Sequence, residues 1–193
     1  MRTVTAIFSE GETIYSPFST NREVFLVTVG YVFAYSLEAD GKKRIHLIYG
    51  PGSYFPVITT FKKASQRASY EALTRVAVTK YDLREFVDEI GKNLEFSNLV
   101  LHKTVTQLGI FADIVINLHT AKLENKLLNL LHNLAHDHGI AQDNHYVLPY
   151  TLKHHHLADM LGAERESVSR SLQSLRKKQL IKTDANGHLV IMT

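Results

Sequence analysis

The stretch Gly162-Ala163-Glu164-Arg165-Glu166-Ser167-Val168-Ser169-Arg170-Ser171-Leu172-Gln173-Ser174-Leu175-Arg176 decides how this chain is read. Val168, Leu172 and Leu175 are spaced four and then three residues apart, so one stripe of a helix faces a core. Glu166, Ser169, Arg170 and Gln173 share a polar face. Upstream, Leu157, Ala158, Met160 and Leu161 form a second short amphipathic segment, and Gly162 stands where a left-handed cap would end a helix and turn the chain sharply. Downstream, Leu180–Thr183 and His188–Met192 are two short runs around Asp184-Ala185-Asn186-Gly187, whose Asn-Gly pair favours a tight hairpin. Two short helices at a glycine turn, followed by a hairpin, predict a winged helix-turn-helix.

From Arg165 to Lys182 the bases Arg165, Arg170, Arg176, Lys177, Lys178 and Lys182 meet a single acid, Glu166. A basic helix end is also what the helix dipole favours on any solvated surface. Taken with the turn, the hairpin and the polar face, the charge is instead the surround that a helix near phosphates requires.

The segment from Leu152 to Met192 resembles the C-terminal domain of the CRP/FNR family of bacterial transcription regulators, and Arg165-Glu166-Ser167-Val168-Ser169-Arg170 matches its recognition-helix signature. In the FNR-like branch the pattern Glu-x-x-Ser-Arg reads a TTGA-type half-site, and the resemblance places Glu166, Ser169 and Arg170 at those three positions. The chemistry agrees: Arg reaches guanine O6 and N7 with two hydrogen bonds, Glu accepts from cytosine N4, and Ser meets either edge. Arg165, Glu166, Ser169 and Arg170 are the expected base-reading residues, and Ser167, Arg176, Lys177, Lys178 and Lys182 the expected phosphate contacts.

Composition bounds the rest. The 193 residues carry 45% hydrophobic residues, enough for packed cores. The net charge of +3 is mild, but residues 141–193 hold seven Lys/Arg against five Asp/Glu. There is no cysteine, which removes disulfides, thiolate zinc sites and Cys-ligated iron–sulfur clusters, while leaving haem on a His ligand open. The first ten residues lack the apolar core of a signal peptide, and no run approaches the ~20 apolar residues expected of a membrane span, so a cytoplasmic protein without a membrane partner is expected.

From Thr13 to Val78 the chain reads as short strands divided by turns: Val24–Val29, Tyr31–Ser36, the Asp40-Gly41 turn, Arg44–Tyr49, the break Gly50-Pro51-Gly52, and Tyr70–Val78. Such spacing predicts a sandwich or barrel. A metal-dependent barrel enzyme would need several inward His with a carboxylate, and His46 is the only His before residue 102, so no catalytic or metal site is expected. The segments Gly30-Tyr31-Val32, Asp40-Gly41-Lys42-Lys43 and Leu47–Phe55 resemble the family's cyclic-nucleotide-binding-like β-roll. The resemblance implies a Gly-Glu pair for the ribose hydroxyl and an Arg-Ser/Thr pair for the phosphate. This chain has Pro56-Val57 where the first is expected and Arg67-Ala68-Ser69 near the second. Valine cannot accept from a ribose hydroxyl, so cyclic AMP is not the expected effector. Gly52, Ser53, Arg67 and Ser69 mark the expected pocket if another anion binds, and the alternative is a roll that is purely structural.

After a short helix at Tyr81–Phe86, a long helix is expected from about Asn93 to Asn117. Leu94, Asn98, Leu101, Val105, Leu108, Ala112 and Val115 recur at alternating spacings of four and three, the a/d seam of a two-helix coiled coil. Phe96, Val100, Phe111, Ile114 and Leu118 lie off the seam and are expected to pack on the β-domain. Two apolar strips on one helix predict a homodimer, as the resemblance also implies. A helix at Ala121–Ala135 follows, after a hinge at Leu118-His119-Thr120. His136–His145 is expected to be a polar loop, and His154-His155-His156 the exposed start of the motif's first helix. The expected fold is thus α+β: an antiparallel, jelly-roll-like β-roll over residues 1–90, a dimerisation helix over 91–118, and a winged helix-turn-helix over 119–193. Its partners are double-stranded DNA, a second copy of itself and, by the resemblance, RNA polymerase.

Overall fold

The computed structural model describes residues 2–19, 22–57, 68–117 and 122–192. The chain forms two compact units, Met1–Leu37 with His46–Leu108, and Glu38–Ile45 with Gly109–Thr193.

The first unit is built on β1 (Thr3–Phe8), β2 (Thr13–Tyr15), β3 (Glu23–Val29), β4 (Val32–Leu37), β5 (Lys43–Tyr49), β6 (Tyr54–Phe55), β7 (Ser69–Ala72) and β8 (Val76–Asp82). They form two four-stranded sheets, in the orders β1-β8-β3-β6 and β2-β7-β4-β5. The antiparallel roll was expected, but β1 was not. It pairs with β8 from Thr3↔Tyr81 to Phe8↔Val76 while leaving Val4 64% and Ile7 60% exposed, so its sequence lacks the alternation that marks a half-buried strand. Gly30 links β3 to β4 at φ +83°, and a Cβ there would stand 2.3 Å from the Arg75 carbonyl oxygen, so no other residue fits. Phe25 and Phe55 from one sheet and Tyr15, Tyr49 and Tyr70 from the other meet in a single aromatic cluster. Its ring centroids lie 5.2 Å apart for Phe25–Phe55 and 4.5 Å for Phe55–Tyr70.

Two side-chain caps then set the helices. The Asp82 carboxylate accepts from the Arg84 and Glu85 amides at 2.9 and 3.1 Å, which starts α1 (Leu83–Lys92) at Leu83 and leaves Tyr81 in β8 rather than in the expected helix. Asn93 ends α1, donating its amide to the Glu89 carbonyl at 2.9 Å, and its side chain accepts from Phe96 N–H at 3.1 Å to open α2 (Leu94–Asn117). Val100 joins the core of Val24, Tyr54, Val57, Tyr81 and Phe86, with Phe96 packed against it. Phe111 does not pack as expected: it is 44% exposed, and Leu118 lies outside the described residues. An 18-residue window within Leu94–Ile116 reaches a mean hydropathy of 1.5, so by length and composition alone this helix could cross a membrane. The apolarity is spread around the helix between polar residues such as His102, Lys103 and Gln107, where a contiguous run does not register it.

The second unit holds α3 (Leu123–His138), β9 (Ile140–Gln142), β10 (His145–Val147), α4 (His154–Leu161), α5 (Arg165–Lys177), β11 (Ile181–Thr183) and β12 (Leu189–Met192), with sheet order β11-β12-β10-β9. Leu127, Leu131, Leu148, Leu157, Val168, Ile181 and Ile191 are fully buried at its centre. The expected loop at 136–145 is in fact the last turn of α3 and a β9–β10 hairpin, registered His145↔Gln142 to Val147↔Ile140. Three-residue strands carry no periodicity of their own, and this hairpin exists because β10 pairs with β12. The expected hinge at Leu118-His119-Thr120 lies outside the described residues.

Candidate DNA-reading surface

α4 ends at Gly162 in the left-handed region, φ 63° and ψ 36°, and the Gly162 amide donates to the Ala158 carbonyl. Three residues later α5 begins, anchored by Val168, Leu172 and Leu175, each at most 1% exposed against α3 and α4. At 3.6 residues per turn, Ser169, Gln173, Glu166, Lys177 and Arg170 fall within about 100° of one another on the side turned away from that stripe. Arg165, Glu166, Arg170, Gln173 and Lys177 are exposed and Ser169 half-buried. The structure therefore brings Glu166, Ser169 and Arg170 to one side of the helix, with Arg165 exposed at its first position on the edge next to the buried stripe. Arg170 is steadied by its own helix, its guanidinium donating to the Ser167 hydroxyl at 3.2 Å. That contact uses Ser167 to position a neighbour.

Around this face, Arg176 donates to the Thr183 hydroxyl of β11 at 3.3 Å, tying the end of α5 to the wing. The wing turn is held by Asp184, whose carboxylate accepts from the amides of Asn186 and His188 at 2.9 and 2.8 Å. Lys177 and Lys182 are exposed. Lys178 is engaged elsewhere: its ammonium pairs with the Glu124 carboxylate on α3. Hydrogen bonds from Lys178 and then Ser174 hold the Glu124 carboxyl below its usual value. Charge counting along the helix could not reveal this partner, which lies 54 residues away.

The histidines of this unit are mostly committed. His138 shares a 2.8 Å hydrogen bond with the Tyr150 hydroxyl, and burial lowers its pKa to about 4. His156 shares a 3.3 Å hydrogen bond with the Lys153 amide and is lowered to about 4 by burial and then by His155. Among the described residues no three His, Asp or Glu side chains are grouped to hold a metal ion.

In the roll, Gly52 and Ser53 exchange backbone hydrogen bonds with Val27, and Ser69 opens β7 opposite Tyr35. Arg67 lies outside the described residues. Sequence reading missed the five-ring aromatic cluster of the roll, although regular aromatic positions on successive strands were its visible signal.

A Crp-like helix-turn-helix domain model matches residues 125–193, and a cyclic nucleotide-binding domain model matches residues 6–93. The chain belongs to the CRP/FNR family of bacterial transcription regulators. As a member of that family it is a DNA-binding transcription regulator rather than an enzyme. It is 28% identical over 180 residues to the transcriptional regulator LdrP of Thermus thermophilus, covering 91% of this chain and 86% of LdrP. It is 20% identical over 183 residues to a CRP-like cAMP-activated global transcriptional regulator of Mycobacterium tuberculosis, covering 95% of this chain and 82% of that protein. The structure of FixK2 from Bradyrhizobium japonicum superposes with a TM-score of 0.81 at 20% identity, over 100% of this chain and 94% of FixK2.

Proposed function

We propose that this CRP/FNR-family chain acts in the cytoplasm as a homodimer, its two α5 helices reading TTGA-like half-sites of a palindromic operator about one helical turn, ~34 Å, apart. Arg165, Glu166, Ser169 and Arg170 read base edges, while Arg176, Lys177 and Lys182 contact phosphates. Lys178, paired with Glu124, is left to brace the domain. The observation that carries this reading is the exposed polar face of α5 on a helix whose opposite stripe is fully buried. Dimerisation is supported by the seam residues Leu94, Leu101, Val105, Leu108 and Val115, which are 40–76% exposed in the single chain, with Asn98 and Ala112 exposed between them. RNA polymerase is the partner through which such a dimer would regulate.

One observation favours a roll that acts without cyclic nucleotide. Five aromatic rings, among them Phe25 and Phe55 at 1% and 0% exposure, interleave between the two sheets, and Val57 offers no acceptor to a ribose hydroxyl. Fluorescence anisotropy of the effector-free chain at ~0.15 M salt tests the reading. Preference for a TTGA-N6-TCAA duplex over a scrambled one by ~10³-fold or more supports it. Equal, weak binding to both overturns the effector-free operator assignment.

A further inference from the structure

The last two turns of α3 present a polar side as well as a core-facing one. His132, Asn133, His136 and Asp137 fall on that side, beside the buried stripe of Leu130, Leu131 and Leu134. β10 lies close to this end of the helix because residue 139 is glycine: a Cβ there would stand 3.0 Å from the Tyr146 Cβ. Together with Tyr146 from β10 and Asp113 from the last two turns of α2, these four residues line a cavity of about 400 Å³ within the second unit. Among the described residues no side chain of α5 lines it, so the cavity stands apart from the DNA-reading face.

We propose that this cavity binds a small organic ammonium ion bearing a hydroxyl group, its charge held by the Asp113 and Asp137 carboxylates and its oxygen by the Asn133 amide. Two carboxylates face one space, and among the described residues neither pairs with a Lys or Arg. The Asp137 side chain is only 15% exposed, and its ion pair is with the His136 imidazole at 3.4 Å, a cation only when protonated. Burial holds the Asp137 carboxyl above its usual value against the His136 hydrogen bond, and the charge of Asp113 adds to the rise, a cost that an arriving cation relieves. The cavity also lies at the C-terminal ends of two helices, where the peptide dipoles present negative charge, and α2 has no basic residue in its last turn to answer it. Tyr146 supplies an aromatic wall of the kind that attracts ammonium groups. Asn133 calls for the hydroxyl: its amide nitrogen is buried with no hydrogen-bond partner, and an oxygen on the occupant would satisfy it. A bare metal ion fits less well, because it needs its ligands gathered within ~2.0–2.6 Å of one point, and among the described residues no three such side chains are so grouped. A carbon skeleton spans the same space.

The test is titration calorimetry of the full chain with 4-amino-1-butanol at about pH 8, above the range in which imidazole ordinarily titrates, at constant ionic strength and up to about 10 mM. Wild type is expected to form a one-to-one complex, and 1-butanol, which lacks the charge, should give none. Asp113→Asn and Asp137→Asn keep the shape of each side chain and should each weaken binding about tenfold or more. Asn133→Ala should weaken the amino alcohol and leave butylamine, which lacks the hydroxyl, unchanged. Asp88→Asn, at an exposed acid of α1, should change nothing. No binding to wild type, or equal binding to wild type and both Asp→Asn variants, overturns the proposal. Zinc chloride or magnesium chloride binding that is lost in those variants, with none by the amino alcohol, overturns it in favour of a metal site.

Discussion

The ammonium of Lys178, in the cap of α5, pairs with the carboxylate of Glu124 in the first turn of α3, closing the second unit across 54 residues of chain. Lys178→Ala should therefore lower the melting temperature of the chain and leave the salt dependence of DNA binding nearly unchanged. Arg176→Ala and Lys182→Ala should each reduce the slope of log K against log salt by about one. A loss of slope in Lys178→Ala equal to that in Lys182→Ala would return Lys178 to the phosphate contacts.

The same pair has an acid signature. The Glu124 carboxyl titrates below its usual value because Lys178 and then Ser174 donate to it. Its contribution is fully present above the ordinary carboxylate pKa and is lost as pH falls through the depressed one. Glu124→Gln should unfold at a lower temperature than wild type at neutral pH, with the difference closing at low pH; thermal scans across that range decide it.

His138, a basic group, has a consequence of the same sign. Burial lowers its pKa to about 4 from an unfolded value near 6.5, so the folded chain binds fewer protons. Stability is full above the unfolded value and declines as pH falls from there toward about 4. His138→Phe should flatten that decline, at the cost of the hydrogen bond to Tyr150. Denaturant unfolding of the full chain at several pH values measures both.

Base reading separates from backbone contact by sequence. Glu166→Ala and Arg170→Ala should each cost about 1–3 kcal/mol on the operator duplex and relax preference at one base pair, with little change on scrambled DNA. Competition titrations against single-substituted operators would show which base pair each residue reads.

The seam can be broken without touching the fold, because its residues face solvent in the single chain. Leu101→Glu, at a position 60% exposed, should give a folded monomer in sedimentation and lose binding to the palindrome more than to a single half-site.

The aromatic cluster is a core element. Phe55 is 0% exposed and stacks on Phe25 and Tyr70, so Phe55→Ala should cost about 3–5 kcal/mol in denaturant unfolding. Cyclic AMP added to the wild-type chain should leave its melting temperature where it was.

The sequence by itself determined the reading head, because each of its signals is local. Val168, Leu172 and Leu175 sit within two turns of one helix, Gly162 caps the one before it, and the Asp184–Gly187 turn closes its own hairpin. The seam was legible for the same reason, since helix periodicity places Leu94 through Val115 on a line without reference to any other element. Tertiary structure decided what depends on partners distant in the chain. β1 and the β9–β10 hairpin exist through pairing with β8 and β12, and their residues are too exposed or too few to alternate. The Asp82 and Asn93 caps moved helix ends that apolar spacing could not fix. Lys178 gained its partner Glu124 only when the end of α5 came to stand beside the first turn of α3. Charge and hydrophobicity are properties of residues, but pairing and burial are properties of the packed chain.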